Sequence, residues 1–469
     1  MSGIVQSGQT GRRDGISDAD PADGLGVTNS TPHKEPSVAA KLNKTMKVLV
    51  YGLNYAPEAI GIGKYTHEMC AWLASRGHQV KVITSYPSYP DWKVQAPYNN
   101  RRYGREQRDG VEIIRCPLYV PSSPTSKGRL AHYASFAMSS SPAAIWHALR
   151  LRPDVVLAVA PSLLVAPAAI LAARLTGARS WLHIQDFEVE AAFQLGITSG
   201  NRLRSGAEFI ERTLFARFDR VSTISAKMID RLVSKRIPRT RTVEFRNWVD
   251  TSLIKPQDRL GSFRSDLGLA PETIVALYSG SMALKQGLGT LVDAARLLEK
   301  QRPEIAMVFC GNGATRDDLI RRSTGLRNVR FLELQPQERL SELLSMADIH
   351  LLPQRTEVAD LVLPSKLGAI LASGRPVVAM AEPGTQLAAE VEGSGLSIPA
   401  GDPAALAAAL IRLADDRAQR ERLGAAARLA SQARWDMHTI LSGVEESLVA
   451  LTSNSARSAP LGAQAQQRG

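Results

Sequence analysis

The chain has 469 residues, 57 Lys and Arg against 45 Asp and Glu, and a formal net charge of +12, and that length exceeds what one hydrophobic core accommodates. Its apolar (44%) and charged (22%) fractions are those of globular proteins. Three cysteines, Cys70, Cys116 and Cys310, without a CxxC spacing argue against a disulfide framework or a zinc site and fit a reducing compartment.

Residues 1–45 are rich in Gly, Ser, Asp, Thr and Pro, hold no apolar core of a secretory leader, and read as a disordered extension. KVLVYG at 47–52 is a short β run. Residues 64–76 place Tyr65, Met69, Trp72 and Leu73 at i, i+4, i+7 and i+8, an amphipathic helix closed by Gly77. QVKVIT at 79–84 completes a βαβ unit. Within 129–150, Leu130, Tyr133, Phe136 and Ala137 share one helical face near Arg105, Lys127 and Arg129. That face either packs on its own sheet or docks on an anionic membrane.

Residues 155–173 form an uncharged run of 19, close to the ~20 of a membrane span. Pro161 and Pro167 interrupt it, and a buried strand at 155–160 followed by a helix at 163–174 explains it better. Strands at 179–184, 221–224 and 242–245 continue the alternation. The second half repeats it with strands at 274–278, 305–310, 329–332, 349–352, 377–380 and 396–398. Helices lie between them and again at 404–413, 417–430 and 437–451. The alternation predicts an α/β protein of two doubly wound Rossmann-like domains, 46–255 and 256–435, facing across a cleft. Residues 256–269 read as a linker and 453–469 as a disordered tail.

Residues 46–250 hold 28 Lys and Arg against 16 Asp and Glu, whereas residues 251–469 hold 24 of each. The excess either points to an anionic partner for the first half, a membrane surface or phosphorylated lipid, or is a solvated basic face. Nucleic acid is disfavoured, because no aromatic stacking platform interleaves the arginines.

Several loops after strands carry candidate chemistry. Gly61-Ile62-Gly63 opens a helix, but Thr66 stands where a dinucleotide fingerprint needs its third glycine and Thr84-Ser85 where it needs an acid. The loop remains a flexible turn that lets backbone approach a ligand. Gly280-Ser281 through Lys285-Gln286-Gly287 follows a strand and precedes a helix, whose unpaired N–H groups and a compact lysine charge suit phosphate oxygens, although spacing alone leaves Lys285 equally an ordinary surface lysine. Ser365 and Lys366 start a second helix on the same predicted surface, and two converging anion sites fit a diphosphate. Asp186 closes a strand and is a candidate for orienting or deprotonating a hydroxyl, or else an N-cap. His183, inward on a buried strand, reads as a satisfied core histidine.

These residues resemble the family-4 retaining glycosyltransferases of the GT-B fold. Gly280 with Lys285-Gln286-Gly287 resembles that family's G-R-…-K-G loop, Cys310-Gly311-Asn312-Gly313 its G-x-G after a strand, and Asn247-Trp248-Val249-Asp250 its N-G-V-D. YGLNYAPEAIGIGKYTHEM, ITSYPSYPDW, RCPLYVP, HIQDFEVEA and VSTIS are similar to WcaI-type enzymes of colanic-acid exopolysaccharide synthesis, so the likeness spans about residues 46–450. It implies a nucleotide-diphosphate sugar donor, with GDP-fucose the analogue-based first choice, and a polyprenyl-diphosphate-linked acceptor. The enzyme is then expected in the cytoplasm, peripheral on the inner face of the plasma membrane, with neither cofactor nor metal. The resemblance assigns Lys285 to neutralising the donor diphosphate, with Gly280, Ser281, Gly311, Gly313, Ser365 and Lys366 around it. Gly61, Gly63 and Asn247 shape the sugar and acceptor loop, and the helix at 436–452 crosses back to the first domain.

The chain departs from the family at four positions, one of them Gln185, which stands where many members carry the histidine of a His-Asp step ahead of the position of Asp186. Ser281 replaces an arginine, with Lys366 as its candidate substitute. Leu361 and Ala369 stand where an E-x7-E motif has its acids, so the ribose must be held otherwise. A sugar-nucleotide epimerase and a non-catalytic binding subunit are the rival readings.

Overall fold

The computed structural model describes residues 45–58, 61–122, 125–187, 201–360 and 363–453. The N-terminal extension before 45, the tail after 453 and Leu361 lie outside them. The first domain runs β1 (Lys47–Gly52), α1 (Ile62–Ser75), β2 (Gln79–Ser85), β3 (Gly104–Arg108), β4 (Val111–Cys116), α2 (Ser126–Leu151), β5 (Val155–Ala160), α3 (Ala166–Thr176), β6 (Arg179–Ile184), α4 (Asn201–Phe215), β7 (Arg220–Thr223), α5 (Ala226–Ser234) and β8 (Thr242–Glu244). Its eight strands lie in the order β3-β4-β2-β1-β5-β6-β7-β8. All pairs are parallel except β3 with β4. A parallel strand covered on both faces must be apolar on both, and VVLAVA of β5 is buried at every position.

The second domain contains α6 (Ser262–Asp266), β9 (Ile274–Ser279), α7 (Gly289–Gln301), β10 (Ile305–Cys310), α8 (Arg316–Arg322), β11 (Val329–Leu332), α9 (Leu340–Ser345), β12 (Ile349–Pro353), α10 (Leu367–Ala372), β13 (Val377–Met380), α11 (Gln386–Val391), β14 (Gly395–Ile398), α12 (Pro403–Asp415), α13 (Arg417–Arg434) and α14 (Met437–Ser453). Its six strands, all parallel, follow the order β11-β10-β9-β12-β13-β14. In both sheets the order reverses beside the first strand, β1 or β9, which opens a crevice at the strand carboxyl ends.

The last helix leaves the second domain. Leu441, Val444 and Leu448 of α14 share a core cluster with Met46, Val48, Met69 and Leu73 of the first domain. Buried Glu445 pairs there with His78 Nε2 at 3.1 Å and with Arg76 Nε at 3.2 Å. Three contacts join the domains nearer the cleft. Arg246 pairs with Glu390 at 2.8 Å, Lys227 N donates to Gln386 Oε1 at 3.1 Å, and Tyr65 Oη donates to the Ser365 carbonyl at 3.4 Å.

Three features differ from the sequence expectations. The sequence expectations lack both strands of the antiparallel β3–β4 edge: GREQR has no apolar residue, and an edge strand needs none, whereas VEIIRC of β4 does carry an apolar run. Residues 256–269 are no free linker: Phe263 and Arg264 are buried, and Arg264 donates to Met346 O and pairs with Asp348 at 2.6 Å. The expected face on α2 also splits, since Phe136 packs into the core while Leu130 is exposed.

Candidate functional site

On the second domain, the loops leaving β9 and β10 are joined backbone to backbone. Gly280 N donates to Cys310 O at 2.9 Å, and Met282 N donates to Asn312 O at 2.9 Å. Thr315 donates to Met282 O from both its N and its Oγ1, at 3.0 and 2.9 Å. A Cβ at Gly311 would lie 2.1 Å from Gly280 O, and one at Gly313 would lie 2.5 Å from Met282 O. Both glycines also have φ in the range that side chains avoid, +140° and +150°. The G-x-G is therefore required by contact between two loops, before any ligand enters.

Over this cradle stands Lys366. Its Nζ lies 3.9 Å from the Tyr278 ring centroid, and a Cβ at Gly280 would come within 2.9 Å of it. Tyr278 Oη donates to Ser281 O at 2.5 Å. The Lys366 ammonium thus sits on the strand end occupied by Gly280 and Ser281. Lys285 contributes its backbone to a 3₁₀ turn, Leu284–Gln286, while its side chain lies outside the description. Ser365 precedes Lys366 at the entry to α10, and Ala369, half-buried on that helix, offers no polar group.

The first domain supplies the opposite wall. Gly61 (φ +65°) precedes α1. A Cβ at Gly63 would lie 2.9 Å from Glu58 Oε2, so the glycine makes room for a buried carboxylate. Glu58 accepts from Ser88 N (3.1 Å), Tyr89 N (3.0 Å) and Asn54 Nδ2 (2.9 Å), clamping the β1–α1 loop to the loop after β2. Burial pushes its carboxyl up, against the pull of these bonds. Arg115, almost wholly buried, donates to Ser85 O at 2.9 Å, to Ala56 O and to Glu106 Oε1. Tyr65 packs edge-on against Trp248, with ring centroids 5.1 Å apart, and reaches Ser365 across the cleft. Gly61–Gly63 and Ser365–Lys366 therefore meet where the domains face.

Asp186 lies two residues beyond β6 and is half-buried. Ahead of it, Gln185 Nε2 donates to His183 Nε2 at 2.9 Å, and His183 Nδ1 is 2.9 Å from Ser222 Oγ. Burial lowers the His183 pKa to about 3, so it is neutral and structural. Asn247 Oδ1 and Ser162 Oγ are buried without a hydrogen-bond partner, both beyond strand carboxyl ends. Such groups are costly unless something satisfies them. Among the described residues no cluster of His, Cys, Asp or Glu could hold a metal ion.

The reading from sequence missed Glu58, Arg115, Ser162 and Arg355. Arg355 follows β12, its Cγ would lie 3.1 Å from a Cβ at Gly287, and its exposed guanidinium pairs with Glu357 at 2.7 Å. The signal that could have found Ser162 and Arg355 is their place at strand ends, since each follows a buried β run. Glu58 and Arg115 are visible only through contacts about 30 and 59 residues apart in sequence.

Residues 61–248 match the glycosyl transferase 4-like domain family, and residues 262–430 match the glycosyl transferases group 1 family. The chain is 41% identical over 347 residues to a protein of Escherichia coli (strain K12) described as a colanic acid biosynthesis glycosyl transferase, WcaI, covering 73% of this chain and 85% of that one. Among solved structures, a sucrose-phosphate synthase from Thermosynechococcus elongatus superposes with a TM-score of 0.69 at 17% identity, over 87% of this chain and all of the other. The Anabaena protein HepE in complex with UDP-glucose does so with a TM-score of 0.64 at 16% identity, over 86% of this chain and all of its own. At these identities the structural likeness speaks for the fold.

Proposed function

The chain belongs to the family-4 glycosyltransferases of the GT-B fold, on the WcaI-like branch, and from that we propose how it acts in exopolysaccharide biosynthesis. It moves a sugar from a nucleoside-diphosphate donor to a polyprenyl-diphosphate-linked oligosaccharide, with retention at the anomeric carbon. The observation that carries this is the glycine cradle of Gly280, Gly311 and Gly313 with the Lys366 ammonium over it, facing Gly61 and Gly63.

A sugar nucleotide is an activated donor, so the main catalytic demand is to stabilise charge on the departing diphosphate as the bond from sugar to phosphate oxygen breaks. Lys285 and Lys366 supply cations, the backbone N–H groups of the Ser365–Lys366 turn supply donors, and the glycine cradle, whose own N–H groups at Gly280, Met282, Gly311 and Gly313 are engaged within it, supplies the shape. Lys366, positioned at Gly280–Ser281, takes the place of the arginine that the family carries where this chain has Ser281. The acceptor hydroxyl loses its proton as it bonds to the anomeric carbon, and Asp186 orients that hydroxyl or receives the proton. Asn247, with its unsatisfied Oδ1, and the Gly61–Gly63 loop hold the sugar. Lysines and backbone dipoles do the work that a metal does elsewhere. The basic first domain keeps the enzyme on the cytoplasmic face of the plasma membrane, where the lipid-linked acceptor lies.

The test is release of sugar from labelled nucleotide sugars, GDP-fucose first, with and without a polyprenyl-diphosphate oligosaccharide. Lys285→Ala lowers turnover by roughly a hundredfold or more, the scale for losing a charge contact made in the transition state. Near-normal turnover removes Lys285 from the mechanism. Complete silence of the wild type towards all donors favours a binding subunit.

A further inference from the structure

The helical layer on one side of the eight-stranded sheet is apolar on both of its faces. α2 and α3 pack side by side and bury Phe136, Ala144 and Ala148, and Ala166, Ala169 and Ala173, in the same core cluster. Their other face should be polar if it met only water. Instead Met138 (77% exposed), Trp146 and Leu149 stand out from α2, and Leu171 and Leu175 from α3, with Leu164 just before it. Residues 126–176 contain five basic groups, Lys127, Arg129, Arg150, Arg152 and Arg174, and one acid, Asp154, which is engaged in accepting from Lys47 N at 2.8 Å. The Arg150 guanidinium lies 4.3 Å from the exposed Trp146 ring centroid. An exposed apolar ridge with an aromatic, on a segment whose charged side chains are cationic except for Asp154, is the composition of a helix lying in a bilayer interface. No helix among the described residues is long and apolar enough to cross a membrane.

We propose that the outward face of α2 and α3 is the surface on which the protein docks on an anionic lipid bilayer. The apolar side chains enter the boundary between headgroups and acyl chains while the arginines remain among the headgroups. The charge selects this occupant over a second copy of the chain, since two such faces would bring like charges together. The inference deepens the membrane reading above and rests on it, but not on the chemistry of transfer.

The experiment is co-sedimentation of the full chain with vesicles of phosphatidylglycerol and phosphatidylcholine in equal parts, beside pure phosphatidylcholine. Binding is expected to favour the anionic vesicles and to weaken with salt. The double variant M138E/L171E should lower partition at least about tenfold, as expected when two buried apolar anchors become charged. Its melting temperature and its stabilisation by nucleoside diphosphates should match the wild type. Arg150→Ala with Arg174→Ala should lower binding to the anionic vesicles only. Wild-type binding by M138E/L171E overturns the assignment of this face even if the protein is membrane-bound. Failure of the wild type to bind anionic vesicles overturns docking altogether, and intact sugar release would then leave the transfer reading standing. A dimer in sedimentation velocity that M138E/L171E abolishes would make a second copy the occupant and overturn the proposal.

Discussion

Replacing Gly311 by alanine tests whether the two glycine loops touch as described. The new Cβ would lie 2.1 Å from Gly280 O, so the loops must part by about 1 Å to restore van der Waals contact. That movement weakens the Gly280 N to Cys310 O bond, worth ~1 kcal/mol. Overpacking adds ~1–3 kcal/mol, and an alanine at φ +140° adds ~1–3 kcal/mol. The expected loss is about 3–7 kcal/mol, a large part of a domain's total of ~5–15 kcal/mol. Gly401→Ala is the control, because φ there is +76° but nothing lies within 4 Å of the new Cβ, which leaves only ~1–2 kcal/mol of backbone strain. Urea unfolding of both variants gives the comparison. If Gly311→Ala proves no less stable than Gly401→Ala, the close approach of the loops is wrong, and with it the shape of the cradle.

Acid should destabilise the protein through its buried histidines. Burial pushes both His183 and His350 down to about 3, from an ordinary value of 6.5. Between these values the unfolded chain binds protons that the folded chain does not. Their contribution is therefore complete above pH 6.5 and is lost as pH falls, by about 2 kcal/mol each at pH 5. Imidazole NMR checks this, and two buried histidines titrating near 6.5 would refute it. Glu445→Ala removes the hydrogen-bond partner of buried His78 where α14 meets the first domain, and should cost ~1–3 kcal/mol in chemical unfolding. A loss below 1 kcal/mol would mean that α14 is held by its apolar face alone.

The sequence conveyed the repeating architecture because fully buried parallel strands need uninterrupted apolar runs, as in VVLAVA and IAMVFC. It was silent on GREQR, an edge strand that carries no such run. In the site, the glycines were visible as spacing, but the reason for Gly311, a neighbouring carbonyl from β9, was not. The same holds for Lys366, whose nearness to Gly280 bridges 86 positions in sequence, and for the Glu58 and Arg115 clamps. Periodicity identified one apolar stripe on α2. That Met138, Trp146 and Leu149 face outward follows only from the packing of Phe136, Ala144 and Ala148 inward.

The proposed role of the cradle is to bind the diphosphate of a nucleotide sugar. It is tested most directly by thermal shift of the wild type and of Lys366→Ala against GDP, UDP, ADP and dTDP, with CMP as a monophosphate control. A diphosphate at a hundred times its dissociation constant stabilises by ~2.7 kcal/mol, or about 5–10 °C for a domain of this size. Such a shift is expected for one base, which also names the donor, and it should be lost in Lys366→Ala. A folded wild type that shifts with none of the four diphosphates would contradict it.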